Sequence, residues 1–542
     1  MLFNSYAFIF AFLPLTAALF FLIGRRSREL ALRWLIVASL AFYAWWRPLN
    51  VLLIAPSILI NFAVARSMQR QLQQQKPGRA RALLVLGIAF NIAFLGYFKY
   101  ANFFVGAAND VFGARMVLTH IVLPLGISFI TFQKIAFLVD VHSRRIESFT
   151  LQDYCLFVLF FPQLIAGPIV HYREMMPQFQ RAACVYDREN VTVGVTLLVF
   201  GLFKKVFLAD SISPFVKTLY DQASAGGTVT FVYAWMAAIG FTFQMYFDFS
   251  GYTDMALGIA RVFGVRLPPN FNSPLRSASI IEFWLRWHMT LTRFLTAYLY
   301  NPLTLWLTRR RLAKGLPGFG GRNSSIGAFV SLLLLPTILT MCISGLWHGA
   351  GYLFIIWGAL HGVYLSVNHG WRVFARKLWS DKVRYARLMR PVGLVLTFLA
   401  VSFSMVFFRS TTLHGAMRII HGMFGLDGMA LPGTMLARLG SIGRLLQQLG
   451  VGVAPAGLLP FDDMVGWLLA MSVIVFACPN TQQILARYEP ALGVTAKAAD
   501  GVSMLRWASW RPSLAWGLVV AVVAALAVLQ LSGPSEFLYW QF

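Results

Sequence analysis

The sequence predicts an all-α, polytopic integral membrane protein, and three observations predict it. Apolar residues make up 58% of the 542-residue chain, against about 45–50% in soluble domains. Charged residues make up 12%, roughly half the soluble share. Apolar runs recur along the whole chain at lengths that suit a bilayer span, which takes about 20 residues. The mean hydropathy of +0.66 agrees. This much apolar surface needs lipid as its solvent.

Candidate spans start near Leu2, Trp34, Val51, Leu83, Ile121, Leu156, Val193, Phe231, Ile326, Leu353, Val392, Met464 and Leu514. Some shorter runs are expected to be re-entrant or buried rather than spanning. The first run, Leu2 to Ile23, reads as a retained helix. No basic region precedes it and no small-residue cleavage site follows it, as a secretory signal would require. Arginines follow the first span (Arg25, Arg26, Arg28, Arg33), the third (Arg66, Arg70, Arg79, Arg81, with Lys76) and the fifth (Arg144, Arg145). Basic loops on alternate connections are cytoplasmic, which turns the N-terminus outward. Residues 309–323 read as a basic, Gly-rich loop, and 411–460 as amphipathic helices lying at the interface. The chain reads as one polytopic domain over 1–542, with its densest motifs at about 90–410 and a C-terminal helix and aromatic tail over 513–542. Gly533-Pro534 is expected to stop that last helix.

Lysine and arginine exceed aspartate and glutamate by 46 − 20, a net charge of +26. The basic residues sit in short loops between apolar runs, so their partners are anionic membrane lipids and not nucleic acid. Four cysteines (Cys155, Cys184, Cys342, Cys478) form no CxxC pair and no metal-ligand spacing. His414 and His421 share a helical face, but no clustered cysteine or carboxylate completes a ligand set, so no metal site is expected. The sequence carries no Walker loop, which excludes an ATP-driven pump of that class. It carries no G-x-S-x-G nucleophile elbow either.

Three constellations carry candidate chemistry. Ser279 and Glu282 have capping-box spacing, which predicts a helix start. On one helix Trp284, His288, Leu291 and Leu295 share a face, while Glu282, Arg286 and Arg293 point elsewhere and could pair. His288 is then turned inward, either as a working group or as a core histidine bonded to a carbonyl. Gly345-Leu346-Trp347-His348-Gly349-Ala350-Gly351 lies between two strongly apolar runs. An ionisable group at membrane depth is a functional candidate by default, and the glycines permit close helix approach. The alternative is a packing cluster with a bystander histidine. His361, 13 residues on, reads as an interface or packing residue. In Gln244-Met245-Tyr246-Phe247-Asp248-Phe249-Ser250-Gly251-Tyr252-Thr253-Asp254, two carboxylates sit among aromatics. Either Gln244, Tyr246 and Asp248 wall a polar substrate passage, or the helix breaks and Asp caps the next one.

An ordered series of motifs resembles the membrane-bound O-acyltransferase (MBOAT) family, in its bacterial polysaccharide branch. The series runs through Phe42-Tyr43-Ala44-Trp45-Trp46-Arg47, Gly96-Tyr97-Phe98-Lys99-Tyr100-Ala101-Asn102-Phe103 and Leu123-Pro124-Leu125-Gly126-Ile127-Ser128-Phe129. It continues with Phe161-Pro162-Gln163-Leu164-Ile165-Ala166-Gly167-Pro168, Phe203-Lys204-Lys205-Val206-Phe207, Tyr246–Tyr252 and Phe283–His288, and reaches its strongest signature at Gly345–Gly349. The likeness covers roughly residues 1–410 and the last residues of the chain. It implies a multi-helix fold around a membrane funnel or tunnel, with His348 as the catalytic histidine and His288 as the second, upstream one. Trp347 and Trp284 then belong to the substrate passage. One departure is the stretch after Tyr298-Leu299-Tyr300, which is longer here than in the family pattern.

The resemblance implies an O-acyltransferase of the bacterial inner membrane. It would move acetyl from a cytoplasmic thioester, most simply acetyl-CoA, toward hydroxyls of an exported polysaccharide such as alginate or cellulose. Periplasmic acetyltransferase proteins are the expected partners, and no resident cofactor is expected. A histidine general base on the attacking hydroxyl is worth roughly 10²–10⁴-fold. It must be neutral, a form that burial favours. A transporter of an acylated molecule, or a scaffold for periplasmic proteins, would also explain intramembrane polar residues. The tail, Phe537-Leu538-Tyr539-Trp540-Gln541-Phe542, is an interfacial anchor on composition alone. Its likeness to the aromatic C-terminal motif of the branch makes Tyr539 a candidate acyl relay, with a phenol that needs an adjacent base.

Overall fold

A computed structural model describes residues 1–542 except 118–120, 182, 320–324, 375–380, 456, 458, 496–507, 534–537 and 539–542. Among the described residues the chain is helical almost throughout. Strand occurs at one parallel pairing of Ala430–Leu431 with Gly452–Val453. Among the described residues six helices are long and apolar enough to cross a membrane: Ala7–Gly24, Leu49–Gln73, Pro77–Phe112, Arg188–Ser224, Ile326–His348 and Val383–Arg409. The all-α, multi-pass reading therefore holds. The chain divides into two compact units.

The first unit comprises Met1–Phe203, Ser250–Asn270 and Thr481–Ser532. Its helices form hairpins whose ends the sequence encodes. Ser27 caps Arg28–Ala44 by accepting from the Leu30 amide, and that helix returns along Leu13–Gly24. Leu49–Gln73 and Pro77–Leu95 pack together, and the buried Asn61 and Asn91 exchange amide hydrogen bonds of 3.3 and 2.6 Å between them. The hydrophobic effect adds little between helices in lipid, so close packing and such polar pairs fix register. Ile127–His142 packs on both, with the Lys134 ammonium 2.5 Å from the Ser57 hydroxyl.

The runs expected near Ile121 and Leu156 take different forms from simple spans. The first becomes a helix only at Ile127. Gly126 precedes it at φ 67°, and a Cβ there would lie 2.8 Å from the Leu164 carbonyl oxygen, so only glycine fits. The second is not a span. A capping box at Thr150 and Asp153 starts Leu151–Leu159, Phe160 turns out of the helix, and Phe161–Leu164 follows. Phe157, Phe160 and Phe161 are fully buried, and the Phe161 amide at the break is satisfied by Ser39 Oγ at 3.1 Å. A broken backbone is tolerated at membrane depth where protein encloses it.

The second unit comprises Lys204–Phe249, Phe271–Asn480 and Gly533–Phe542. Its most extensive packing joins Leu335–His348 to Tyr352–Phe374, and the latter packs on Lys382–Arg409. Asp210–Ser224 packs on Leu413–Met423. The 411–460 stretch does hold short helices (Leu413–Met423, Gly433–Arg438, Ser441–Gln448), with the two-residue strand pairing between them unforeseen. The loop expected from residue 309 starts later. The helix Asn301–Ala313 carries Arg309–Arg311 in its last turns, where cations favour the negative end of the helix dipole. Arg310 also lies over the Trp306 ring at 4.5 Å, and Arg311 bonds to Ser331 Oγ at 3.1 Å. The helix Leu514–Leu529, which belongs to the first unit, ends with Gln530 at its C-cap, before Gly533-Pro534 is reached. Gly-Pro is therefore not the stop.

Candidate active site

His348 is the last residue of the helix Leu335–His348. Gly349 leaves that helix in extended conformation, and Tyr352 starts the next. Two glycines make this hairpin tight. A Cβ on Gly345 would collide with the Phe354 carbonyl, and one on Gly358 with the Met341 carbonyl. The backbones thus approach directly, as small residues allow in membrane packing. His348 is buried among rings. Trp347 lies 4.9 Å from it between centroids, Trp357 5.2 Å and Phe408 5.4 Å.

His288 reaches the same place by a different route. Ser279 does start a helix, accepting from the Glu282 amide at 3.2 Å, and Glu282 pairs with Arg286 at 2.7 Å. That helix covers only Ile280–Trp284. His288 does not continue it: at φ 42°, ψ 52° it sits in the left-handed region and caps Met289–Leu295. A single helix carrying Trp284 and His288 on one face is thereby corrected. Such a conformation costs a non-glycine residue on the order of 1–3 kcal/mol, held by its surroundings. The inward direction stands, since His288 is fully buried. Its ring meets Phe249 at 4.8 Å, Trp347 at 6.2 Å and His348 at 6.4 Å.

The two histidines and Trp347 therefore form one buried cluster. Trp284 stands a layer away. It meets Trp357 at 6.0 Å and His361 at 5.3 Å, and Trp357 in turn meets His348. Tyr246, also buried, meets Phe271 at 6.0 Å and Trp287 at 6.5 Å. Asp248 lies inside the unbroken helix Phe231–Val262, so a helix break capped by this aspartate is ruled out. Its carboxylate is 2.8 Å from the Lys205 ammonium, which is also 2.6 Å from Asp210. The Leu538 backbone N–H donates to Asp248 as well. Gln244 is buried, and its Oε1 has no hydrogen-bond partner among the described residues. Tyr539 lies outside the described residues.

Three further features are not singled out as site residues by the sequence, although Lys205 lies in the Phe203–Phe207 motif and His361 reads there as a packing residue. Lys205 sits in a π-helical turn, Phe203–Ala209, which turns it into the buried ion cluster. His361 is fully buried and hydrogen-bonded at both ring nitrogens. Thr340 and Ser344 precede His348 at steps of four, so the three side chains line one face of the helix. The Thr340 and Ser344 hydroxyls are buried without a partner among the described residues. The sequence signal for that stripe was its spacing, Thr340-x₃-Ser344-x₃-His348, in an otherwise apolar helix. Among the described residues, no three His, Cys, Asp or Glu side chains converge as a metal site would need.

A buried pair of histidines in an aromatic chamber, with hydroxyls lined toward one of them, suits proton transfer from an attacking hydroxyl in a dry site. The family model of the membrane-bound O-acyltransferases matches residues 139–316, a stretch that contains His288. Peptidoglycan O-acetyltransferase of Helicobacter pylori is 38% identical over 459 residues, covering 80% of this chain and 81% of the relative. A protein named "Probable alginate O-acetylase AlgI" of Pseudomonas aeruginosa is 35% identical over the whole length of both chains. Teichoic acid D-alanyltransferase of Bacillus subtilis is 27% identical over 54% of this chain and 69% of the relative. The chain is thus a multi-pass membrane enzyme, an O-acyltransferase that belongs to the membrane-bound O-acyltransferase (MBOAT) family.

Proposed function

We propose that the enzyme moves acetyl from cytoplasmic acetyl-CoA across the bacterial inner membrane toward hydroxyls of an exported polysaccharide. His348 acts as general base. The acceptor is a sugar polymer outside the membrane, reached through periplasmic acetyltransferase partners. The single observation that carries this reading is the pairing of His288 and His348 in one buried chamber, 6.4 Å apart between ring centres. The named activities of the relatives, on alginate and on peptidoglycan, favour acetyl and a polysaccharide. Gln244 Oε1 and the Thr340 and Ser344 hydroxyls, which have no hydrogen-bond partner among the described residues, favour a polar guest, because buried polar atoms normally have partners.

In this mechanism Tyr539 is the first acceptor. His348 takes the phenol proton as the phenolic oxygen attacks the thioester carbonyl. The tetrahedral adduct collapses, the carbon–sulfur bond breaks, and the imidazolium returns the proton to the CoA thiolate. A phenyl acetate remains on the tail. A nucleophile of a periplasmic transferase then takes the acetyl, and the phenol re-forms. His288 orients the donor or acceptor rather than moving a proton. The contact of the Leu538 amide with Asp248 favours this arrangement, because Asp248 adjoins Phe249, whose ring packs on His288.

Incubation of the purified full-length chain with labelled acetyl-CoA, followed by mass spectrometry of its peptides, tests the scheme. Label is expected on the C-terminal peptide of the wild type, and none with Tyr539→Phe or His348→Ala. Full polymer acetylation in cells carrying Tyr539→Phe eliminates the relay while leaving the transferase. Normal acetylation by a correctly inserted His348→Ala chain removes His348 from the chemistry.

A further inference from the structure

We propose that His361 is a positioning residue: locked as one tautomer, it holds Trp284 and Trp357 as the rigid wall behind His348. The proposal rests on the assignment of His348 to the chemistry. It starts from a chain of hydrogen bonds that runs in one direction only.

Trp284 Nε1–H lies 3.3 Å from His361 Nδ1. An indole nitrogen can only donate, so Nδ1 accepts and carries no proton. The proton of the neutral ring is therefore on Nε2, which lies 2.9 Å from Ser404 Oγ. The Ser404 hydroxyl donates onward to the Val401 carbonyl at 2.7 Å. Ser404 thus accepts from His361 and donates to its own helix. Each donor meets an acceptor, and reversing any one bond would leave another unmade. All three side chains are buried, where an unmade bond is costly.

The wall is built on this strut. Trp357 lies one turn before His361 on the helix Tyr352–Phe374, and their rings are 4.8 Å apart. Trp357 also meets His348 at 5.2 Å, Phe408 at 5.1 Å and Trp284 at 6.0 Å. Its own Nε1–H has no hydrogen-bond partner among the described residues. Ring packing holds the Trp357 plane, and His361 and Trp284 supply two of its contacts. A small tilt of Trp357 would move the His348 ring. A misplacement of about 1 Å at a reacting group costs on the order of 100-fold in rate.

The two nitrogens of His361 can be replaced separately. Asn Oδ1 stands where Nδ1 accepts from Trp284, whereas Leu keeps bulk and neither bond. Turnover of acetyl-CoA by the purified full-length chain should fall about 10–100-fold in kcat with His361→Leu, KM changing less than about threefold. His361→Asn should recover to within about threefold of wild type, since it keeps the acceptor. Trp284→Phe should lose about as much as His361→Leu, and the double variant no more than either, because both act through one bond. A role in packing alone gives losses that multiply and no rescue by Asn. The second readout needs no turnover. The indole ¹⁵N–¹H signal of Trp284, assigned by its absence in Trp284→Phe, should shift in His361→Leu and stay in His361→Asn. Ser404→Ala, which removes the acceptor for Nε2–H, should shift it partway and stands in should His361→Leu fail to fold. Normal kcat in His361→Leu, equal losses with Asn and Leu, a multiplicative double variant or an unmoved indole signal each overturn the proposal. A wild type that does not turn over acetyl-CoA instead sinks the donor assignment and leaves the indole signal to judge His361.

Discussion

The two histidines of the chamber are held by opposite means. His348 ends a regular helix, and its place is set by glycines that let Leu335–His348 and Tyr352–Phe374 touch backbone to backbone. His288 sits in a break between two short helices, in a backbone conformation that disfavours any residue with a Cβ. At the hairpin, position comes from neighbours and the histidine itself is under no strain. At the break, the strain lies in the histidine residue itself. A side-chain change at His348 that keeps its bulk should therefore alter chemistry with little effect on the backbone. One at His288 should alter both.

The largest effect expected is at His348. His348→Ala should lower acyl transfer by about 10²–10⁴-fold, the range of a positioned general base. Truncation also leaves a cavity among Trp347, Trp357 and Phe408, so some stability, about 2–5 kcal/mol, should be lost. His348→Gln, which keeps most of the bulk, should lose the transfer while unfolding closer to the wild-type temperature, and normal transfer by His348→Gln would mean that the histidine is a packing residue. The reverse pattern belongs to the glycines. Gly358→Val drives a side chain into the Met341 carbonyl and should destabilise the hairpin by about 1–3 kcal/mol, as overpacking does. Activity should fall with it, although no reacting group changes. An unchanged unfolding temperature in Gly358→Val would show that the helices can part freely.

A smaller effect separates the two regions at His288. Both His288→Ala and His288→Gly remove the imidazole, so both should lose its contribution to turnover equally. They should differ in stability. Glycine accepts φ 42° without a clash, so the Gly variant should be more stable than the Ala variant by about 1 kcal/mol. Equal unfolding temperatures would show that the break relaxes to an ordinary helix once the ring is gone.

How much of this was legible in the sequence follows the same division. The membrane class was plain from composition, and His348 stood out because an imidazole between apolar runs and glycines has few bland explanations. The inward turn of His288 was read correctly from helical spacing, yet for the wrong backbone. Nothing local to Leu285-Arg286-Trp287-His288 signals a left-handed residue, and none of the four is glycine or asparagine. Tertiary packing imposes that break, since Phe249 and Trp347 enclose the ring. Asp248 was read as one of two things, a passage wall or a cap. Its lysine lies 43 residues upstream, in a π-helical turn that periodicity does not reveal. The buried run at 151–164 looked like a span because burial in protein and burial in lipid select the same residues.

The smallest effect expected is also the one that tests whether the chamber is shaped for a guest. Ser344 lies one turn before His348 on the same face, fully buried. A helical serine commonly bonds back to the carbonyl four residues earlier, as Ser366 does to Gly362 at 2.8 Å. The Ser344 hydroxyl makes no such bond among the described residues. A buried hydroxyl without a partner destabilises the empty enzyme by about 1–3 kcal/mol. Ser344→Ala removes the hydroxyl and leaves only a small void. The variant should therefore be as stable as wild type or more so, by up to about 1 kcal/mol. If the hydroxyl meets the acyl carbonyl as it approaches His348, the same change should slow transfer by about fivefold, the worth of one neutral hydrogen bond. The two signs together are the signature, stability held or raised while transfer falls. A variant that loses stability has lost a hydrogen bond that Ser344 makes in the resting enzyme. One that gains stability and keeps full activity would show that the stripe from Thr340 to His348 touches no substrate.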